Sequence, residues 1–120
     1  MIGTADHGHV DFPRERQIEL PRQAQEGLTL YGDSRVMFVR GDGSELAELV
    51  PASWIPAAEM EHWWGSPPHH PSFRQRRPDG VLVADDDHVI LHRHSDDRMT
   101  GHHGGLTPAE RELPFLVAGK

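Results

Sequence analysis

The feature that most constrains this chain is a short apolar run that ends in a turn of metal-binding residues at the start of the sequence. Residues 1–5 are typical of a buried strand, and Asp6, His7 and Gly8 follow them directly. The carboxyl end of a strand in an open α/β sheet is where ligands usually bind. An Asp oxygen and a His nitrogen can bind one divalent metal, and zinc takes both ligand types. The alternative interpretation is a turn in which Asp6 caps backbone amides.

A second group of candidate ligands lies near the other end of the chain, in the glycine-rich run 101–105 that contains His102 and His103. Directly after this run, residues 107–110 place Thr at the N-cap, Pro at N1 and Glu at N3, which predicts a well-capped helix. Two histidines between glycines are also typical of a solvated loop. The run therefore predicts either such a loop or one neutral imidazole ligand held near a helix start.

Several other groups that carry chemistry have simpler explanations. The acidic run 85–87 lacks the rest of an EF-hand pattern, so we interpret it as a hairpin turn. For three arginines we favour a solvated surface over a phosphate site. For four histidines we favour a solvated surface over a metal site. For the three tryptophans we favour packing over substrate stacking. These residues are Arg74, Arg76 and Arg77, His69, His70, His92 and His94, and Trp54, Trp63 and Trp64.

Residue patterns predict an α/β chain built from short elements. Residues 28–31 and 36–39 flank a Gly-Asp-Ser turn and predict a hairpin. Residues 81–84 and 88–91 flank the acidic turn and predict a second strand pair. The other predicted elements are a helix over 45–50 capped by Ser44, a helix over 57–64, irregular chain over 12–27 and 66–78, and a final strand over 115–118.

Composition limits the classes of function. With 120 residues the chain is one domain or part of one. Its formal net charge of −7 argues against nucleic acid, which needs a basic face. The absence of cysteine excludes disulfides, thiolate zinc sites and cysteine nucleophiles. No apolar run reaches the roughly 20 residues of a membrane span, and no signal-peptide pattern is present. The cytoplasm is therefore the favoured location, and no membrane partner is expected.

Together the two motifs resemble the alkaline phosphatase superfamily, in particular its nucleotide pyrophosphatase/type I phosphodiesterase branch. The run from Thr4 to Gly8 looks like the superfamily's Asp-His metal motif, and Gly101-x-His103-Gly104 looks like its closing His motif. In that branch the pattern Gly-x-His-Gly-x-Leu-Thr-Pro-x-Glu precedes a helix and a Pro-led apolar strand. This chain has His103-Gly104-Gly105-Leu106-Thr107-Pro108-Ala109-Glu110, then Leu113-Pro114-Phe115-Leu116-Val117-Ala118, with Gly32-Asp33-Ser34-Arg35 and Trp64-Gly65 as weaker landmarks.

The resemblance implies the C-terminal part of an alkaline-phosphatase-like α/β/α domain over residues 1–120, with a small strand-rich inserted subdomain over 27–98. The nucleophile of such enzymes is a metal-activated Thr or Ser upstream of the Asp-His motif, where it forms a covalent intermediate. Thr4 stands in the wrong place for this role. We therefore expect no catalytic nucleophile in the chain, which is interpreted as the C-terminal segment of a longer enzyme or a truncated gene product, inactive alone.

The resemblance also implies a set of metal ligands. Asp6 and His7 would bind the metal that contacts the nucleophile, and His103 would bind a second metal. His9 and His102 adjoin these residues in sequence, and we expect them to lie behind the ligands and support them. Two divalent ions, expected to be Zn²⁺, would clamp a phosphoryl group and stabilise the attacking and leaving oxygens. The implied substrate is a small-molecule phosphoester or nucleotide. Three ligands fall short of the roughly four that each zinc takes, so the remaining ligands are expected upstream.

Two alternatives stay open. Another superfamily enzyme, such as a sulfatase or a phosphatase, would share the Asp-His motif, although the Leu-Thr-Pro-x-Glu ending favours the phosphodiesterase branch. A non-catalytic metal-binding or interaction module would need neither a nucleophile nor a complete ligand set. The sequence leaves the substrate, the metal and the oligomeric state open.

Overall fold

The computed structural model describes residues 1–119, which form short strands and mostly one-turn helices. The strands are β1 (Ile2–Thr4), β2 (Val10–Asp11), β3 (Gln17–Glu19), β4 (Thr29–Gly32), β5 (Val36–Arg40), β6 (Ala52–Pro56), β7 (Gly80–Ala84), β8 (Val89–Leu91), β9 (Gly101–His102) and β10 (Phe115–Val117). The α-helices are α1 (Leu46–Leu49), α2 (Phe73–Arg76) and α3 (Pro108–Arg111), and 3-10 helices span Arg14–Arg16, Arg22–Gln25 and Ala57–Trp64.

The middle of the chain forms an antiparallel sheet of four strands in the order β4-β5-β7-β6. Side chains alternate between its two faces, so Met37 and Val39 point to one face while Phe38 points to the other. Met37 and Val39 are at most 1% exposed and pack in a core with Leu46, Leu82 and other apolar residues. Each such side chain contributes about 1.5–3 kcal/mol through burial. The predicted hairpin over 28–39 is confirmed, and this core holds it in place.

The predicted pairing of residues 81–84 with 88–91 is wrong, although both segments are strands. One edge of β7 pairs with β5 and its other edge pairs with β6, so β7 has no edge left for β8. Strand β8 instead pairs in parallel with β3, a strand in the region 12–27 that the sequence predicts to be irregular. The acidic run 85–87 therefore links two different sheets.

The first and last strands pair with each other, antiparallel, from Ile2 opposite Val117 to Thr4 opposite Phe115. The final strand was predicted correctly, but the expectation that residues 1–5 form a buried strand is wrong. Ile2, Phe115, Leu116 and Val117 are between 66% and 70% exposed. No second layer within residues 1–119 covers these side chains.

Smaller differences concern the helices. Ser44 does not cap α1, because its hydroxyl donates to the Asp42 carboxylate at 2.7 Å, and the helix begins at Leu46. The segment Ala57–Trp64 is helical as predicted, but as a 3-10 helix that buries Met60 completely. The predicted loop over 66–78 contains the single turn of α2. Strand β6 was not predicted from the residue pattern. The inserted subdomain over 27–98 remains a prediction. No helix within residues 1–119 is long and apolar enough to cross a membrane.

A buried ion pair between Arg35 and Glu110 joins the central sheet to the last helix. The Arg35 Nε and Nη2 atoms donate to the two carboxylate oxygens at 2.9 and 3.1 Å, and both side chains are 1% exposed. The other guanidinium hydrogens contact the carbonyls of Asp85, Asp86 and His88. Arg35 therefore also holds the turn after β7 in the shape that directs β8 away from its predicted partner.

The carboxylate of Glu110 also accepts hydrogen bonds from residues just before it in the chain. The Thr107 backbone N–H and hydroxyl donate to one oxygen at 3.3 and 2.7 Å, and the Gly105 N–H donates to the other at 2.9 Å. The predicted helix cap is thus confirmed, with Glu110 shared between the cap and Arg35. Burial would raise the pKa of Glu110, but hydrogen bonds from Arg35, Thr107 and Gly105 outweigh it and lower that pKa to about 2.

Replacing the carboxylate by an amide is expected to destabilise the fold in a pH-dependent way. Glu110→Gln leaves the Arg35 charge buried without its counter-charge, which costs about 3–5 kcal/mol of unfolding free energy at neutral pH. Because the folded pKa is lowered, the carboxylate contributes fully above its unfolded pKa of 4.5, and the contribution is lost as pH falls towards 2.

Urea unfolding of both proteins from pH 8 to pH 3 measures this difference. It should be constant from pH 8 to about pH 6 and shrink below about pH 4.5. The control is Glu112→Gln, an exposed carboxylate two residues away, which should change stability by less than about 0.5 kcal/mol. Equal effects of the two substitutions at pH 7 would show that the ion pair does not hold the fold.

Candidate metal centre

The two sequence motifs lie side by side because the chain between them folds back on itself. The Gly8 N–H donates to the carbonyl of Glu110 at 2.9 Å, and Val10 of β2 lies opposite His102 of β9. A Cβ atom on Gly8 would stand 1.8 Å from the Ala109 carbonyl oxygen, so only glycine permits this approach. The residue after the Asp-His pair is therefore needed for contact between the motifs.

The imidazole rings of His7 and His103 are stacked on each other. Their ring centroids are 3.7 Å apart, and the ring planes differ by 14°. The structure thus brings together two of the three predicted metal ligands, which are separated by most of the chain. Asp6 adjoins them, with its side chain 91% exposed and its Oδ2 3.8 Å from His7 Nε2.

The donor set around His7 fits a divalent metal. His7 Nδ1 lies 2.8 Å from the Gly8 carbonyl oxygen. Since a carbonyl can only accept, Nδ1 is the donor of this hydrogen bond, and Nε2 is the ring nitrogen that remains for a metal. Histidine ligands of metals commonly donate their other ring N–H to a backbone carbonyl in this way. Two ligands of one tetrahedral zinc lie roughly 3.4 Å apart, close to the 3.8 Å between His7 Nε2 and Asp6 Oδ2.

The ligand set is incomplete within the part of the chain that the structure describes. No group of three or more His, Cys, Asp or Glu side chains in residues 1–119 is arranged to hold one metal ion. Asp6 and His7 offer two donors and His103 offers one, whereas zinc takes about four ligands per ion. The assignment of these residues as ligands stays a prediction.

The two supporting histidines have different surroundings. The His9 ring is exposed, lies against Gly101, and has its centroid 6.1 Å from that of His103. The His102 ring is buried edge-on against Phe12, and its Nε2 has no hydrogen-bond partner within residues 1–119. Burial lowers the pKa of His102, with a backbone hydrogen bond to Met99 opposing the shift. His102 is therefore neutral at pH 7, and the supporting role of both residues remains a prediction.

A cleft beside His103 contains residues to which the sequence analysis gave no role in the site. Asp33 lies against Gly104, whose added Cβ would stand 3.0 Å from the Asp33 Cβ. His92 and His94 also line the cleft, from a turn after β8 and not from the predicted strand face. Burial lowers the pKa of His92. The full lining is Gly32, Asp33, Ser34, His92, His94, Ser95, Asp96, Met99, Gly101, His102 and His103.

The signal for Asp33 and Arg35 was present in the sequence as the landmark Gly32-Asp33-Ser34-Arg35. An arginine that immediately precedes an apolar strand run is a candidate for a buried ion pair, because a buried charge needs a partner. The pattern gave no way to identify Glu110 as that partner, since the two residues are 75 positions apart.

Solved structures match nearly the whole chain. Human ectonucleotide pyrophosphatase/phosphodiesterase 5 is 25% identical, with a TM-score of 0.66 over 96% of this chain. An inactive variant of the murine ectonucleotide pyrophosphatase/phosphodiesterase 5, in complex with AMP, is 26% identical, with a TM-score of 0.67 over 95%. Each match occupies 32% of the solved chain. The present chain therefore spans about a third of the length of these structures. No protein-family model and no curated protein sequence matches it.

The predicted resemblance to the alkaline phosphatase superfamily is confirmed. A further structure, phosphonoacetate hydrolase from Sinorhizobium meliloti 1021 in complex with phosphonoacetate, shares the fold at a TM-score of 0.60 and 17% identity, over 96% of this chain and 35% of its own. The α/β fold class of the alkaline phosphatase superfamily is thereby confirmed as well. The coverage of about a third agrees with the expectation of a segment of a longer domain.

Within this alkaline-phosphatase-like segment, the contact of Gly8 with α3 is expected to control the distance between the two motifs. Gly8→Ala places a methyl group against backbone atoms that cannot rotate away, so the loop must shift at a cost of about 1–3 kcal/mol. Two-dimensional NMR should show the loss of ring-to-ring contacts between His7 and His103. The control is Gly3→Ala, whose added Cβ meets Leu116 at an ordinary 3.8 Å. Retained ring contacts in Gly8→Ala would contradict this role.

Proposed function

We propose that this chain is part of a two-metal hydrolase of phosphodiester or pyrophosphate bonds. The observation that carries the proposal is the stacking of His7 on His103, with Asp6 at the edge of the same site. Side chains from two distant motifs meet here, and each belongs to a motif that resembles a metal motif of the superfamily. The similarity to ectonucleotide pyrophosphatase/phosphodiesterase 5 supports this branch of the superfamily.

In this proposal the side chains of the segment would hold and orient the metal ions, and the bound metals would polarise the phosphoryl group. Asp6 and His7 would bind the ion that activates the nucleophile, and His103 would bind the other ion. When bound, two Zn²⁺ ions would stabilise the attacking and leaving oxygens of an in-line displacement. The Gly8 carbonyl fixes the tautomer of His7, so that Nε2 is the ligating atom. His9, whose ring centroid lies 6.1 Å from that of His103, and the adjoining His102 would limit the movement of the His103 ring.

The proposed metal centre is incomplete within residues 1–119. Thr4, the nearest hydroxyl to Asp6 in sequence, lies in β1 with its Oγ1 3.4 Å from the Ala5 carbonyl, and no general base is assigned to it. The exposed apolar side chains of β1 and β10 support the idea that further strands cover them, because contiguous exposed apolar surface marks a contact site. We therefore propose that residues 1–120 are a C-terminal segment, with the nucleophile and remaining ligands in an upstream portion.

A nucleotide is the favoured substrate class, because the murine relative is described in complex with AMP. The wider alternative is another hydrolase of the superfamily, such as a sulfatase or a phosphatase. It is supported by phosphonoacetate hydrolase, which shares the fold with another substrate. A non-catalytic metal-binding module is the third candidate. It is supported by the incomplete set of metal ligands within residues 1–119.

The purified chain is expected to show no zinc-dependent turnover of a nitrophenyl phosphodiester. The reason is the missing nucleophile, which the covalent route requires. The assay compares the chain with and without added Zn²⁺, and with EDTA. Zinc-dependent release of nitrophenol that disappears in His103→Ala would show that the segment is catalytically complete and would overturn the incomplete site.

Zinc binding separates the proposed ligands from the surface histidines. In a spectrum of ¹⁵N-labelled imidazoles, added Zn²⁺ should shift Nε2 of His7 and a ring nitrogen of His103. His7→Ala and His103→Ala should each weaken zinc binding by about tenfold or more, because the loss of a metal ligand or of its supporting group lowers metal affinity by at least this factor. The matched control is His69→Ala, which removes an exposed histidine from a proline-rich loop. Equal weakening by all three substitutions would contradict the proposed centre.

A further inference from the structure

A second candidate binding site lies on the face of the central sheet that points away from the main core. The alternation that buries Met37 and Val39 in the core turns Phe38 to the opposite face. Its register partner Tyr31 points the same way, and the two rings have centroids 5.5 Å apart. Neither residue belongs to the proposed metal centre.

Two further aromatic rings, those of Trp64 and Phe73, extend the aromatic surface that begins at Phe38. The Trp64 ring centroid is 6.3 Å from that of Phe38 and 5.7 Å from that of Phe73. Together with Tyr31 these rings line an apolar pocket of about 160 Å³ that opens to solvent. A cavity of about 150 Å³ with apolar walls is large enough to hold a benzene ring. The size and the walls therefore suit one aromatic ring.

Two residues that line this pocket, Trp64 and Arg76, carry side-chain polar groups without a protein partner within residues 1–119. The Trp64 indole Nε1 is buried and has no hydrogen-bond acceptor within residues 1–119. Arg76 lines the pocket with an exposed side chain, and no carboxylate within residues 1–119 pairs with its guanidinium. The Tyr31 hydroxyl donates to the Arg76 carbonyl at 2.7 Å and so fixes this residue beside the pocket. Arg77, in contrast, is paired with Glu61.

We propose that this pocket binds a small molecule in which one aromatic ring carries an anionic group such as a phosphonate, phosphate or carboxylate. The ring packs among Tyr31, Phe38, Trp64 and Phe73, where aromatic contacts add to apolar burial. The anion pairs with Arg76, whose guanidinium suits such groups. This revises the interpretation of Trp64 as packing alone and of Arg76 as a solvated loop residue.

The test uses the full chain in EDTA, so that no signal can come from the proposed metal centre. Phenylphosphonate is the probe, since it has both the ring and the anion and cannot be hydrolysed at phosphorus under these conditions. Benzyl alcohol carries the ring alone, and methylphosphonate carries the anion alone. Indole N–H resonances report binding, with Trp54→Phe and Trp63→Phe used to assign the remaining resonance to Trp64. Phenylphosphonate should shift the Trp64 resonance and bind at least about threefold more tightly than either comparator, the effect of one exposed ion pair added to ring burial.

Two neighbouring arginines provide a matched pair of variants. Arg76→Gln should weaken phenylphosphonate binding about threefold and leave benzyl alcohol binding unchanged, whereas Arg74→Gln, which does not line the pocket, should change neither. Equal affinities for phenylphosphonate and methylphosphonate, or equal losses in the two arginine variants, would overturn the proposal. Because metal is absent throughout, either result leaves the proposed metal centre untouched.

Discussion

The buried pair of Arg35 and Glu110 is the interaction on which the rest of this structure depends. Arg35 lies in the hairpin turn between β4 and β5 of the central sheet. Its guanidinium donates to three backbone carbonyls and so holds the turn after β7. Glu110 caps α3 and receives the Gly105 N–H from the His103 loop. The carbonyl of Glu110 in turn accepts the Gly8 N–H. One ion pair thus connects the sheet, the closing His motif and the Asp-His motif, so the candidate centre depends on a contact made outside it.

Signals that act within a few residues were enough to predict local structure. The helix cap at residues 107–110 and the hairpin over 28–39 depend on neighbours in sequence, and both were found. Strand partners depend on which edges are already occupied, and no local pattern records that both edges of β7 are taken. The burial of residues 1–5 was predicted from apolar composition alone. Composition does not say whether a covering layer is present, and β1 is exposed.

The candidate site followed from motif resemblance more than from periodicity. The resemblance linked Asp6 and His7 to His103, and the structure stacks the two imidazoles. It did not reveal how the contact is made, because the fit of Gly8 against the Ala109 carbonyl is a property of the folded backbone. Arg35 and the aromatic pocket were likewise hidden, since a buried charge and a sheet face become visible only when distant elements meet.

We propose that Asp6, His7 and His103 hold zinc at one two-metal centre. Anomalous diffraction at the zinc absorption edge, from crystals of the chain grown with Zn²⁺, tests it directly. We expect anomalous peaks about 2.0–2.2 Å from an Asp6 oxygen and a His7 nitrogen, and at a similar distance from a His103 nitrogen. The two ions should lie about 3.5–4 Å apart. Zinc found only at exposed histidines away from this site, such as His69 and His70, with none beside His7 or His103, would contradict this proposal.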